Sequence, residues 1–133
     1  MMSLQVQWRE WNLTGLEISQ IHFDSRVIFN LWFQERKLVL IFGCPFTFHT
    51  AEGVIWECDG EKSETLCPLL PLYFRPASVF RASSEGDCEL IFEDGGRLSC
   101  SPDEKYEAWE SHGSGDLATA CLLCGPGGGS PWG

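Results

Sequence analysis

Basic residues are scarce in this chain: nine Lys and Arg stand against nineteen Asp and Glu, for a formal charge of −10. A surface of that sign repels phosphate backbones, so direct nucleic-acid binding is not expected. Long apolar runs are also missing. None approaches the ~18 residues of a membrane helix, and Met1 to Glu10 lacks the basic-then-apolar order of a signal peptide. The expectation is a cytoplasmic protein with no membrane partner. Histidine is limited to His22, His49 and His112, widely separated, and only one Cys-x-x-Cys is present, at Cys121 and Cys124. A structural zinc needs four ligands, usually two such pairs or a pair with histidines, so no metal and no cofactor are expected. The seven cysteines, Cys44, Cys58, Cys67, Cys88, Cys100, Cys121 and Cys124, are then free thiols, and those on inward strand phases act as small hydrophobes.

Catalytic patterns are equally thin. His112-Gly113-Ser114-Gly115-Asp116 places His, Ser and Asp within five residues, but a triad is assembled from separate segments with an oriented base, and Gly-rich strings of this kind are turn compositions. No Gly-x-Ser-x-Gly elbow occurs, and the glycines at 125–129 lack the Lys-Ser/Thr of a phosphate loop. A non-enzymatic protein is expected.

What the chain does have is apolar bulk in alternating order. Hydrophobic residues make up 44%, including six Trp and nine Phe, enough for one core in 133 residues. Val27, Phe29, Leu31 and Phe33 share one strand phase, and Leu38, Leu40 and Phe42 share the next. With the polar break at Gln34-Glu35-Arg36 between them, they read as a hairpin. Ile28, Trp32, Val39 and Ile41 make the opposite phase apolar too, so this hairpin should be covered on both sides. A second hairpin joins 88–92 to 97–100 through Glu93-Asp94-Gly95-Gly96, whose Asp-Gly pair supplies the positive φ of a tight turn.

The two hairpins can be superposed. Leu31-Trp32-Phe33-Gln34-Glu35 falls on Leu90-Ile91-Phe92-Glu93-Asp94, and one residue of slack sets Lys37-Leu38 on Arg97-Leu98. A strand precedes each, at 16–23 and at 78–82. The chain therefore reads as mainly β (α+β at the margin): a single domain, 1–133, of two pseudo-repeated antiparallel β-meanders packed around one core. The first repeat covers about 13–57 and the second about 73–124, and 125–133 is a Gly/Pro-rich tail. The linker at about 59–72 has N-cap candidates and then Pro68 and Pro71, which limit a helix to a turn or two. Beyond the second hairpin, 106–110 is expected as a strand with Tyr106 and Ala108 on one face and Trp109 on the other. Gly113-Ser114-Gly115 should break it, and 117–124 should form a last apolar strand.

Acidity is concentrated late. From Glu85 to Asp116 ten acids face two bases, so that stretch carries −8. A basic protein partner would be steered toward it, and Glu104, Glu107 and Glu110 around Trp109 are the candidate partner-binding residues. The reading is a small acidic protein-binding module, in the manner of an immunity or inhibitor protein that neutralises a basic partner such as a toxin. Two alternatives stand beside it: a small-ligand binder or enzyme with a pocket between the repeats, and a structural accessory subunit.

Tyr106-Glu107-Ala108-Trp109, followed by Pro126-Gly127-Gly128 and Trp132, resembles the ending of a family of small uncharacterised bacterial proteins common in actinobacteria. The hairpin Leu90 to Leu98 and the Leu69-Leu70 segment are similar to that family as well. The resemblance covers about residues 66–132 well and the N-terminal half loosely, and it departs at Gly129-Ser130-Pro131, where the family more often has an acidic-apolar strand. It implies one domain and brings no activity with it.

Overall fold

The computed structural model describes residues 5–133. Eleven strands form two antiparallel sheets: β1 (Trp8–Asn12), β2 (Glu17–Phe23), β3 (Val27–Phe33), β4 (Arg36–Phe42), β5 (Phe46–His49), β6 (Ile55–Cys58), β7 (Ala77–Ser83), β8 (Cys88–Phe92), β9 (Arg97–Cys100), β10 (Trp109–Ser114) and β11 (Leu122–Leu123). One sheet runs β1-β7-β8-β9-β5-β6 and the other β11-β10-β4-β3-β2. Each expected meander thus forms a continuous part of one sheet: β7-β8-β9 the middle of the first and β2-β3-β4 one end of the second. Their alternating apolar phases point at each other, as the inner layer of a sandwich requires.

Aromatic rings join the layers. Phe46 of β5 stacks on Phe42 of β4 at 4.3 Å between ring centroids and meets Phe29 edge-on, while Phe80 of β7 meets Trp109 of β10 at 6.0 Å. Such edge and offset contacts add to the stabilisation from burial itself. Leu31, Leu38, Leu40, Leu90, Phe92 and Leu98 are all inside. The turn between β8 and β9 uses Gly95 at φ 93°, as the Asp-Gly signal requires.

Several expectations are corrected. Phe33, set as the counterpart of buried Phe92, is 51% exposed. It pairs with Arg36 across a two-residue turn, beyond the last buried pair, Leu31 with Leu38. Arg36 takes its place, reaching the carbonyls of Asn12 and Thr14 and the Asp116 carboxylate. The outer phase of the first hairpin is only partly covered: Ile28, Val39 and Ile41 are half-buried and Trp32 is 58% exposed.

The C-terminal segment also differs. The strand starts at Trp109 rather than Tyr106, which lies exposed in a turn, and it continues through the glycine expected to break it. Gly113 opposes Leu38 in the ladder, and a Cβ there would lie 1.9 Å from the Leu117 carbonyl oxygen. Its lack of a side chain lets the 3₁₀ segment Gly115–Ala120 fold back onto β4 and β10, in place of most of the strand expected at 117–124. The linker contains two short 3₁₀ segments, Ser63–Thr65 and Cys67–Leu72, with Pro68 entering the second and Pro71 inside it. The glycine-rich tail is docked: Gly127 donates to Asp103 O, Gly129 to Glu85 O, and Trp132 lies under the Arg9 guanidinium at 4.2 Å.

Candidate interaction site

Strand β10 alternates as a half-buried strand should. Trp109 points inward and donates its indole N–H to Gly86 O at 2.8 Å, and Ser111, also inward, donates to Ala120 O at 2.6 Å. Glu110 and His112 point outward, their side chains 3.2 Å apart. Ahead of the strand, the Ala108 carbonyl accepts from the backbone N–H groups of Gly43 and Cys44, fixing 107–108 to the end of β4. A hollow of about 120 Å³ remains on the outer surface, lined by Arg26, Ile41, Gly43, Glu107, Trp109, Glu110 and Leu123. That is below the usual size of a small-molecule site and comparable to one side chain.

Its charge is set by a few groups. Arg26 grips Asp24 with Nε to Oδ1 at 3.3 Å and Nη2 to Oδ2 at 3.1 Å. That hydrogen-bonded pairing, foremost, holds the Asp24 carboxyl below the usual range and raises the guanidinium pKa. Arg26 is therefore already matched. Glu107 and Glu110 remain as the excess negative charge, beside the apolar Ile41 and Leu123.

The rest of the acidic stretch is partly spent inside the protein. Asp94 pairs with Arg75, Asp116 with Arg36 at 2.8 Å, and Glu89 lies between Arg81 at 3.5 Å and Arg97 at 3.1 Å. Of the four residues named from the sequence, Glu107 and Glu110 share the hollow. Glu104 lies outside it, exposed in a loop where Asp103 accepts from the N–H groups of Lys105 and Tyr106. Trp109 is 1% exposed and belongs to the core, so its ring offers almost no surface to a partner. Asp24, Arg26, Ile41 and Leu123 were not anticipated. The one sequence signal among them is the place of Ile41 on the apolar outer phase of β4, where the pattern predicts a covered face.

The other candidate chemistry is dispersed. His112 faces outward next to Glu110, Ser114 ends β10, and Asp116 is held by Arg36. Cys121 is exposed while Cys124 is buried. Among the described residues, no three His, Cys, Asp or Glu side chains are placed to hold a metal ion, and all seven cysteines are free. Burial pushes the Cys58 thiol up to about 11 and raises Cys44, Cys88, Cys100 and Cys124 as well. No helix among the described residues is long and apolar enough to cross a membrane.

No curated protein and no solved structure matches the chain. A family model does match it, from residue 9 to residue 132, nearly its whole length. The chain accordingly belongs to the Family of unknown function (DUF6188).

Proposed function

We propose that this protein is a non-enzymatic acidic binding module that covers a basic site on another protein, as an immunity or inhibitor protein does. The observation that carries the reading is the hollow at the end of β10. There Glu107 and Glu110 stand in excess over an Arg26 already satisfied by Asp24, beside apolar Ile41 and Leu123. Its size suits one lysine or arginine side chain, whose charged end would meet the carboxylates while its methylenes lie on the apolar neighbours. The partly exposed outer face of β3 and β4, with Trp32, Val39 and Ile41, extends the contact area around it. A bacterial source, suggested by the Tyr106-to-Trp132 ending, and a reducing cytoplasm, suited to seven free thiols, fit a stoichiometric partner of this kind.

The test is affinity capture from the native host with the wild-type protein and with the double variant Glu107→Lys, Glu110→Lys, bound proteins being identified by mass spectrometry. A basic partner retained by wild type, released as salt rises and lost from the variant is the expected result. A captured partner that ignores both salt and charge reversal would remove the hollow as the site.

A further inference from the structure

A two-layer β protein has four sheet edges to protect, because an open strand presents unpaired backbone donors and acceptors to any other chain. Three of them are managed here. β11 is two residues long, and its Leu123 N–H donates to Pro131 O. Along β2, Ile18 exchanges hydrogen bonds with Phe74 and Arg75, and Tyr73 donates its hydroxyl to Ile21 O. β1 carries Arg9 and Glu10, and its Trp11 indole donates to Thr119. The fourth edge is different. Among the described residues β6 pairs with β5 on one side and with no strand on the other, and it presents Ile55 at 60% and Trp56 at 45% exposure, with Val54 just ahead of it at 47%.

A groove of about 550 Å³ runs beside this edge. Phe48 and Trp56, which are cross-strand partners, form one wall, and Pro68 and Pro71 of the linker form another, with Glu52 and the Asp94–Arg75 ion pair among the remaining lining. An added strand would alternate its side chains, one set into this groove and the other along Ile55 and Glu57.

We infer that the β6 edge is a docking site for an extended segment of a partner protein, one that alternates apolar with basic residues. Charge selects that occupant over a second copy of the chain. Residues 52–64 contain Glu52, Glu57, Asp59, Glu61 and Glu64 against Lys62 alone, and two copies meeting here would bring together molecules of −10 each. The site is separate from the Glu107–Glu110 hollow and stands without it.

The experiment uses the full-length ¹⁵N-labelled protein and two capped synthetic peptides, one alternating valine with lysine and one alternating valine with glutamate. Titration with the lysine peptide should shift the backbone amide signals of 54–58 and slow their hydrogen exchange. The glutamate peptide should leave them in place. Ile55→Lys, on an exposed position, should weaken the lysine peptide by about tenfold or more, whereas Glu107→Lys with Glu110→Lys should leave its binding at β6 unchanged. Three results would each overturn the inference: amides of 54–58 unmoved by the lysine peptide, equal shifts with the glutamate peptide, or a concentration-dependent dimer in sedimentation that Ile55→Lys dissolves. The first and second need no variant, so a misfolded Ile55→Lys would not shelter the idea.

Discussion

Trp109 shows what a single residue contributes when neighbours on both layers converge on it. Its ring meets Phe80 across the core and its indole N–H donates to the carbonyl of buried Gly86. Replacing it by Ala should destabilise the protein by about 3–5 kcal/mol, as buried Trp truncations do. Trp109→Phe should cost less but leave that carbonyl unpaired; equilibrium denaturation measures both. A Trp109→Ala protein as stable as wild type would contradict the burial. From the sequence, the residue's strand phase was legible while its environment was not, because the same alternation serves a core ring and a surface anchor. The thiols give a second residue-scale expectation. Burial raises the Cys58 pKa from 9.0 to about 11 and moves Cys88, Cys100 and Cys124 upward too. Exposed Cys67 and Cys121 should thus alkylate first at pH 8, the buried thiols only on unfolding. The sign for stability follows. Above pH 9 the unfolded chain releases thiol protons that the folded one retains, so stability is full below about 9 and declines as pH rises toward 11. Melting temperatures measured from pH 8 to 11 should fall, and a flat profile would contradict it.

Whole strands differ from residues in how much of them the alternation alone decides. β2, β3, β4 and β7 have seven residues each, enough for period two to be unambiguous, while the shorter β8 and β9 are tied together by their Asp-Gly turn, and both hairpins stand where the pattern placed them. β1, β5 and β6 went unread. Each is four or five residues long, and β1 and β5 owe their existence to edges supplied by distant segments, β7 and β9, while β6 is added onto β5. The correspondence between hairpins also fails at one place. Phe33 lies at an exposed tip where Arg36 occupies the inner position, whereas Phe92 is enclosed. Phe33→Ala should therefore change stability by no more than about 0.5 kcal/mol, and Phe92→Ala should cost about 3–5 kcal/mol. Equal losses would mean that the tip is packed in solution. The glycine-containing end of β10 reversed its reading for a related reason. Gly113 signals a close backbone approach as readily as a turn, and only the position of Leu117 decides which. Gly113→Ala should accordingly loosen the contact between 115–120 and β10, seen as faster amide exchange at Leu117 and Ala120 than in wild type.

The two halves of the molecule exchange strands, and that governs how it folds. The sheet built on β7-β8-β9 takes β1, β5 and β6 from the first half, and the sheet built on β2-β3-β4 takes β10 and β11 from the second. Chain order alone suggests two self-contained repeats, since the pattern marks each meander but carries no signal for which sheet a later strand joins. The candidate site depends on the exchange. Glu107 and Glu110 reach Ile41 and Arg26 only because β10 leaves the half that precedes it and pairs with β4, with Trp109 opposite Phe42 and Glu110 opposite Ile41. It follows that neither half has a complete inner face alone. Cut within 61–72, the N-terminal part would lose the strands that pair with β1, β4 and β5, and the C-terminal part would lose those that pair with β7, β9 and β10. The intact chain should unfold in one calorimetric transition whose van't Hoff and calorimetric enthalpies agree. The separate fragments should show no cooperative melt, while an equimolar mixture should recover both the melt and the amide protection of β4 and β10. A fragment that melts cooperatively by itself, or an intact chain with two transitions, would show instead that each meander carries its own core and that the exchanged strands are additions to it.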